Sequence, residues 1–115
     1  MMQFYDDGVI QADRQAITLR RYDFPSGTAK VIPVSKIRGY KAEPLGLLMA
    51  RFNIWGSPDL NRRRWLPLDV YRPLKSMLIT FDIPGERPQP ACTPARPDDF
   101  TALLDDLLKR ENDRA

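Results

Sequence analysis

Toward the end of the chain, hydrophobic positions recur with the period of a helix. Phe100, Leu103, Leu104, Leu107 and Leu108 fall at i, i+3, i+4, i+7 and i+8 and make one apolar stripe, while Thr101, Asp105, Asp106 and Lys109 take the other face. Pro97 suits a first helical turn, where its missing N–H costs nothing. Asp98 and Asp99 place negative charge at the positive end of the helix dipole. The spacing predicts a C-terminal helix over about 97–111. A lone helix of that length is marginal in water, so the stripe needs a surface to cover.

The preceding chain offers strands for that purpose. Val9 to Ala12 follows the turn signal Asp6-Asp7-Gly8 and reads as a short strand. Ile17 to Phe24 and Ala29 to Val34 flank Pro25-Ser26-Gly27-Thr28, the best hairpin signal in the chain. Ser35 to Glu43 continues as a strand anchored by Ile37 and Tyr40. Leu47 to Trp55 alternates in its second half, with Ala50, Phe52 and Ile54 on one side and Arg51 and Asn53 on the other. Trp65 to Leu68 resumes after a turn and a basic loop, with Pro67 confined to an edge or bulge. Met77, Ile79, Phe81 and Ile83 share a face of the clearest core strand, whose alternation Leu78 breaks. Gln89 to Thr93 is the last short strand. Six or seven short strands and one helix predict a mainly β, α+β domain, a small antiparallel barrel or sandwich covered at one end by the helix.

Length and composition narrow the class. The 115 residues suffice for one domain, 1–115, with a real core. The 11 prolines punctuate strand ends rather than repeat. Met1 to Gln11 has neither a basic nor an apolar signal-peptide region, and Leu45 to Ala50 is too short to span a membrane. The lone Cys92 excludes an intrachain disulfide and reads as a small buried hydrophobe. A cytoplasmic location is the expectation.

Chemistry is limited by what is missing from the alphabet. With 0 histidines the chain cannot build a histidine-based nucleophile system or the usual imidazole metal sites. No metal, no cofactor and no catalytic residue is therefore expected. A weak acid–base enzyme built on a carboxylate pair (Asp6-Asp7, Asp98-Asp99 or Asp105-Asp106) is the least favoured class.

Charge is uneven. Residues 1–95 hold 14 Lys/Arg against 9 Asp/Glu, whereas 96–115 hold 4 against 6. The body is basic and the helix slightly acidic. Arg62-Arg63-Arg64-Trp65 is the most conspicuous motif. It could grip phosphates, a lipid head group or nucleic acid, or be a solvated loop with Trp65 turned into the core. Lys36, Arg38 and Lys41 straddle Tyr40, and Lys36, Arg38 and Tyr40 join the candidate residues for an anionic partner. Trp55, before Gly56, reads as a plug at a barrel edge. Arg72 and Lys75 flank Pro73 within reach of Asp69, which reads as a surface contact of little worth.

The hairpin with its Phe24-Pro25-Ser26-Gly27 corner, the following Pro33-Val34-Ser35-Lys36-Ile37, and the ending Thr93-Pro94-Ala95-Arg96-Pro97-Asp98-Asp99-Phe100 resemble a bacterial pleckstrin-homology-like domain. Arg96 stands where such domains usually place an acidic cap. The resemblance implies a barrel of about seven strands in two sheets, closed at one end by the helix, and it implies no reaction. The expected role is a non-catalytic binding or assembly module, with a protein partner or self-association first. Binding of an anionic membrane surface or nucleic acid through residues 62–64 is the alternative.

Overall fold

The computed structural model describes residues 4–45, 53–57 and 62–114. The described residues form an α+β structure of eight short strands in two four-stranded sheets and a C-terminal α-helix. The first sheet is a meander of β1 (Tyr5–Asp6), β2 (Ile10–Ala12), β3 (Ala16–Leu19) and β4 (Lys30–Pro33), all antiparallel. The second contains β5 (Gly39–Pro44), β6 (Arg64–Trp65), β7 (Met77–Asp82) and β8 (Gln89–Cys92), in the order β5-β7-β8-β6. The sheets do not close into the expected barrel. After β4 the chain makes a 3-10 turn over Val34–Lys36, which ends one ladder before β5 begins the next. The second sheet is also not purely antiparallel, because β6 lies parallel to β8.

The expected hairpin forms with a shorter first arm. Its ladder pairs Ala16↔Pro33 through Leu19↔Lys30, and β3 stops at Leu19. Arg21 beyond it adopts φ 51°, which no strand continues through. The strand expected over Leu47–Trp55 falls largely outside the described residues. Its described part, Asn53 to Trp55, is not a strand, and the residue that follows, Gly56, meets Leu66 in an isolated bridge. Gly56 sits at φ 107°, open to glycine at little cost. Of the segment expected over Trp65–Leu68, only Trp65 belongs to a strand.

The core lies between the sheets. Ile10, Ile17, Leu19 and Ile32 of the first sheet meet Ile79, Phe81 and Cys92 of the second, all buried. The helix α1 (Pro97–Arg114) extends somewhat beyond the expected 97–111 and drops Phe100 and Leu104 into this core. Phe100 packs against Tyr5 and Phe81, with ring centroids 5.0 and 6.3 Å apart. The apolar stripe thus finds a sheet-built surface, as its periodicity requires. Leu78 does not break the pattern of β7 but serves its other face, where it joins Leu45, Leu66 and Ala91 in a second buried cluster. A strand buried on both faces loses simple alternation.

Candidate functional site

That other face of the second sheet is the most site-like surface among the described residues. Antiparallel and parallel registers pair Gly39 with Asp82 and Gln89 with Arg64, and align Lys41, Thr80 and Ala91 in one row across the sheet. Residues in one row share a face. The Leu45–Leu78 end of this face is filled by leucines, whereas the Gly39–Asp82 end is an open groove of about 650 Å³. Arg64 reaches from β6 to Glu43 on β5, Nη1 to Oε1 at 2.9 Å. Arg38 forks onto Asp82 at the rim, with contacts of 2.9 and 3.0 Å. The Thr80 hydroxyl lining the groove is buried with no hydrogen-bond partner among the described residues. Lys41 and Arg63 line the groove too, and neither has an ion-pair partner among those residues.

The edge of this groove is β5. Leu45 N–H donates to Ser76 O at 2.9 Å, one step beyond the pairing of Pro44 with Met77. In an antiparallel ladder, hydrogen-bonded pairs alternate. Glu43, Lys41 and Gly39 therefore turn their main chain to β7, while Tyr40, Ala42 and Pro44 turn theirs outward. At the far end Arg38 N–H also reaches Asp82 O, at 2.8 Å, so Arg38 and Gly39 together oppose Asp82 as a β-bulge. The outward N–H groups of Tyr40 and Ala42 meet no partner among the described residues.

The structure gathers only part of the residues that the sequence nominates. Tyr40, Arg63 and Arg64 line the groove and Arg38 reaches its rim. Arg62 lies beside it, exposed, in a left-handed conformation at φ 54°. Lys36 stands apart on the 3-10 turn that contacts α1. Trp65 points elsewhere, its indole Nε1–H donating to Tyr22 O at 2.7 Å and its ring lying against Gly56. The Trp55 indole donates to the same carbonyl at 3.1 Å. Both indoles are thereby committed to the structure, and Trp55 fastens the Tyr22 loop rather than a barrel edge. The Tyr40 hydroxyl donates to Asp105 of α1 at 2.6 Å, and burial together with that carboxylate pushes its pKa up to about 12.

A second charged cluster is buried, and here the reading of Arg72, Lys75 and Asp69 as a surface contact is corrected. Arg72 is wholly inaccessible to solvent and Asp69 nearly so. The guanidinium donates to Asn53 O at 2.8 Å, Pro67 O at 2.9 Å and Thr93 Oγ1 at 3.1 Å. Asp69 accepts from Lys75 Nζ at 3.0 Å, from Tyr71 N–H at 3.0 Å and from Thr93 Oγ1 at 3.3 Å. Burial pulls Arg72 down to about 10, against the opposing pull of Asp69, so it stays cationic at neutral pH. Nothing in the spacing Asp69-x-x-Arg72-x-x-Lys75 announces burial, because every residue type in it is one that normally faces water.

The carboxylate pairs are each occupied or solvated. Asp6 is held down to about 2 by the Arg20 guanidinium at 2.8 Å and the Gly8 N–H. Asp7 accepts from Tyr5 Oη at 2.6 Å, from Ala95 N–H at 2.9 Å, and from Val9 and Ile10 N–H. Burial alone would raise its pKa, but these bonds outweigh it and the carboxyl titrates below the ordinary range. Asp106 pairs with Arg110, and Asp98 and Asp99 are exposed. Among the described residues no cluster of three potential metal ligands occurs, and no helix is long and apolar enough to cross a membrane. Cys92 is buried, and desolvation drives its thiol pKa far up. No family model matches the chain, and neither a curated protein nor a solved structure does.

Proposed function

We propose that the chain is a non-catalytic binding and assembly module of pleckstrin-homology-like type that takes an extended protein segment along the outer edge of β5. The observation that carries this reading is the β5 edge, which has no strand partner among the described residues. Outward N–H and C=O groups beside an open groove form a template for strand addition, with main-chain bonds supplying affinity and the groove reading alternate side chains. The order of elements and the closing helix support the family resemblance. The occupied carboxylates favour binding over chemistry. Panning a random-peptide library on the full chain, then titrating selected peptides into isotope-labelled protein, tests it. Peptides that shift the Tyr40 and Ala42 amides, and that lose binding in Ala42→Pro, are the expected result. Peptides that map elsewhere would overturn it.

A second reading rests on three cations at or beside the groove that have no ion pair among the described residues: Lys41, Arg62 and Arg63. They give an anionic polymer or membrane surface something to hold. Heparin retention and sedimentation with phosphatidylserine vesicles would be salt-sensitive and weakened in Arg62→Ala/Arg63→Ala. Unchanged behaviour of that variant would remove this reading.

A further inference from the structure

We infer that the occupant of the β5 edge is a second copy of this chain, paired antiparallel about a two-fold axis through Ala42; this rests on the strand-addition reading and specifies its partner. Three properties of β5 fit that arrangement. Only Tyr40, Ala42 and Pro44 present main-chain groups outward. With Ala42 opposite Ala42 of the second copy, each Ala42 N–H donates to the other's carbonyl. Each Tyr40 N–H then meets the Pro44 carbonyl across the axis; Pro44 has no N–H to return, so each Tyr40 carbonyl stays with water and the seam holds four main-chain bonds.

The side chains select the same register. On the groove face Lys41 stands opposite Glu43 of the second copy, and Glu43 opposite its Lys41. These are non-hydrogen-bonded positions, where side chains of paired strands come closest. Lys41 has no ion-pair partner within its own chain among the described residues, and the Glu43 opposite it would be shared between that Lys41 and the Arg64 that holds it from across the groove. Sliding the strands two residues one way sets Lys41 against Lys41, and two residues the other way sets Glu43 against Glu43. Like charges directly opposed are destabilising, so the alternatives are penalised. Ala42, exposed and small, leaves the axis unobstructed by side-chain bulk. The product is one continuous sheet running β6-β8-β7-β5 through both copies, with the two grooves adjoining across the axis.

Sedimentation velocity of the full chain from micromolar to millimolar concentration tests the inference, with circular dichroism and a thermal melt confirming that each variant is folded. The wild-type chain should pass from monomer to dimer. Lys41→Glu alone and Glu43→Lys alone should each raise the dimer dissociation constant by about tenfold or more, because each opposes like charges at both symmetric contacts. Mixing these two variants should restore the dimer, since every cross-strand pair in the mixed species is again of opposite sign. A folded chain that stays monomeric throughout, or a dimer indifferent to Lys41→Glu and Ala42→Pro, would overturn it. If the chain is monomeric while library-selected peptides still shift the Tyr40 and Ala42 amides, self-pairing fails and strand addition stands. If neither occurs, both fail.

Discussion

Two cation-rich segments lie within a few residues of each other, and the fold uses them in opposite ways. Residues 62–64 display their charge at a groove, where Arg64 is partly exposed and Arg63 has no ion pair among the described residues. Residues 69–75 consume theirs inside, where the Arg72 guanidinium is spread over three oxygen acceptors and Asp69 collects Lys75, Thr93 and the Tyr71 amide. The comparison teaches that local charge density does not identify a binding surface. What distinguishes the two is how many internal acceptors each cation finds. In the buried cluster, losing one member strands its partners away from water; in the groove, water replaces whatever is lost.

The sharpest way to break this comparison is to remove Arg72. Arg72→Met should destabilise the chain by about 3–5 kcal/mol in urea unfolding, because it orphans the Asn53 and Pro67 carbonyls and unbalances Asp69. Arg72→Lys should rescue little, since one ammonium cannot reproduce a planar fork aimed at separated oxygens. A loss below about 1 kcal/mol for Arg72→Met would place the cluster with ordinary surface pairs.

The difference also explains which parts of the molecule were legible in sequence. The α1 stripe and the alternation of Met77, Ile79, Phe81 and Ile83 are periodic, and periodicity reports which face is buried. The hairpin was legible through its turn residues. Arg72 carries no such signal, because its burial depends on acceptors from three places, two of them distant in sequence: the loop at Asn53 and the hydroxyl of Thr93, with the nearby carbonyl of Pro67. Closure into a barrel is not legible in sequence for a related reason. Strand count follows from local pattern, whereas whether edges meet depends on the 3-10 turn at Val34–Lys36 and on β6 pairing parallel to β8. Of the site, the basic character was legible and the partners were not. Arg64 meets Glu43 and Arg38 meets Asp82 across 21 and 44 residues of sequence.

Between the extremes lies Asp7, half-buried, which latches the β1–β2 turn to the approach of α1 through the Ala95 amide and the Tyr5 hydroxyl. Asp7→Asn should cost about 1–3 kcal/mol at neutral pH, because the amide presents one acceptor oxygen to donors that the carboxylate serves with two. The pH dependence has a definite sign. A carboxyl whose folded pKa lies below its unfolded value of about 4 contributes stability above that value and loses it as pH falls toward and through the folded one. Wild-type stability should therefore decline below about pH 4, and the Asn variant should show a flatter decline. Parallel acid titrations of the two proteins would show that Asp7 is not a latch.

The smallest effect is expected at the groove rim. Arg38 forks onto Asp82 with good geometry, yet both side chains are largely open to water, at 68% and 46% exposure. Solvent and salt screen such a pair, and ordering two long side chains offsets much of the attraction. The backbone does not need the pair either. The bulge opposite Asp82 is held by the main-chain bond from Arg38 N–H, which any residue but proline can make. Arg38→Ala should thus leave the urea midpoint of unfolding indistinguishable from wild type, and raising the salt concentration should not open a difference. A fall in that midpoint comparable to that of Arg72→Met would mean that the groove's charges hold the second sheet together as Arg72 holds its loops. The contrast between displayed and consumed charge would then collapse.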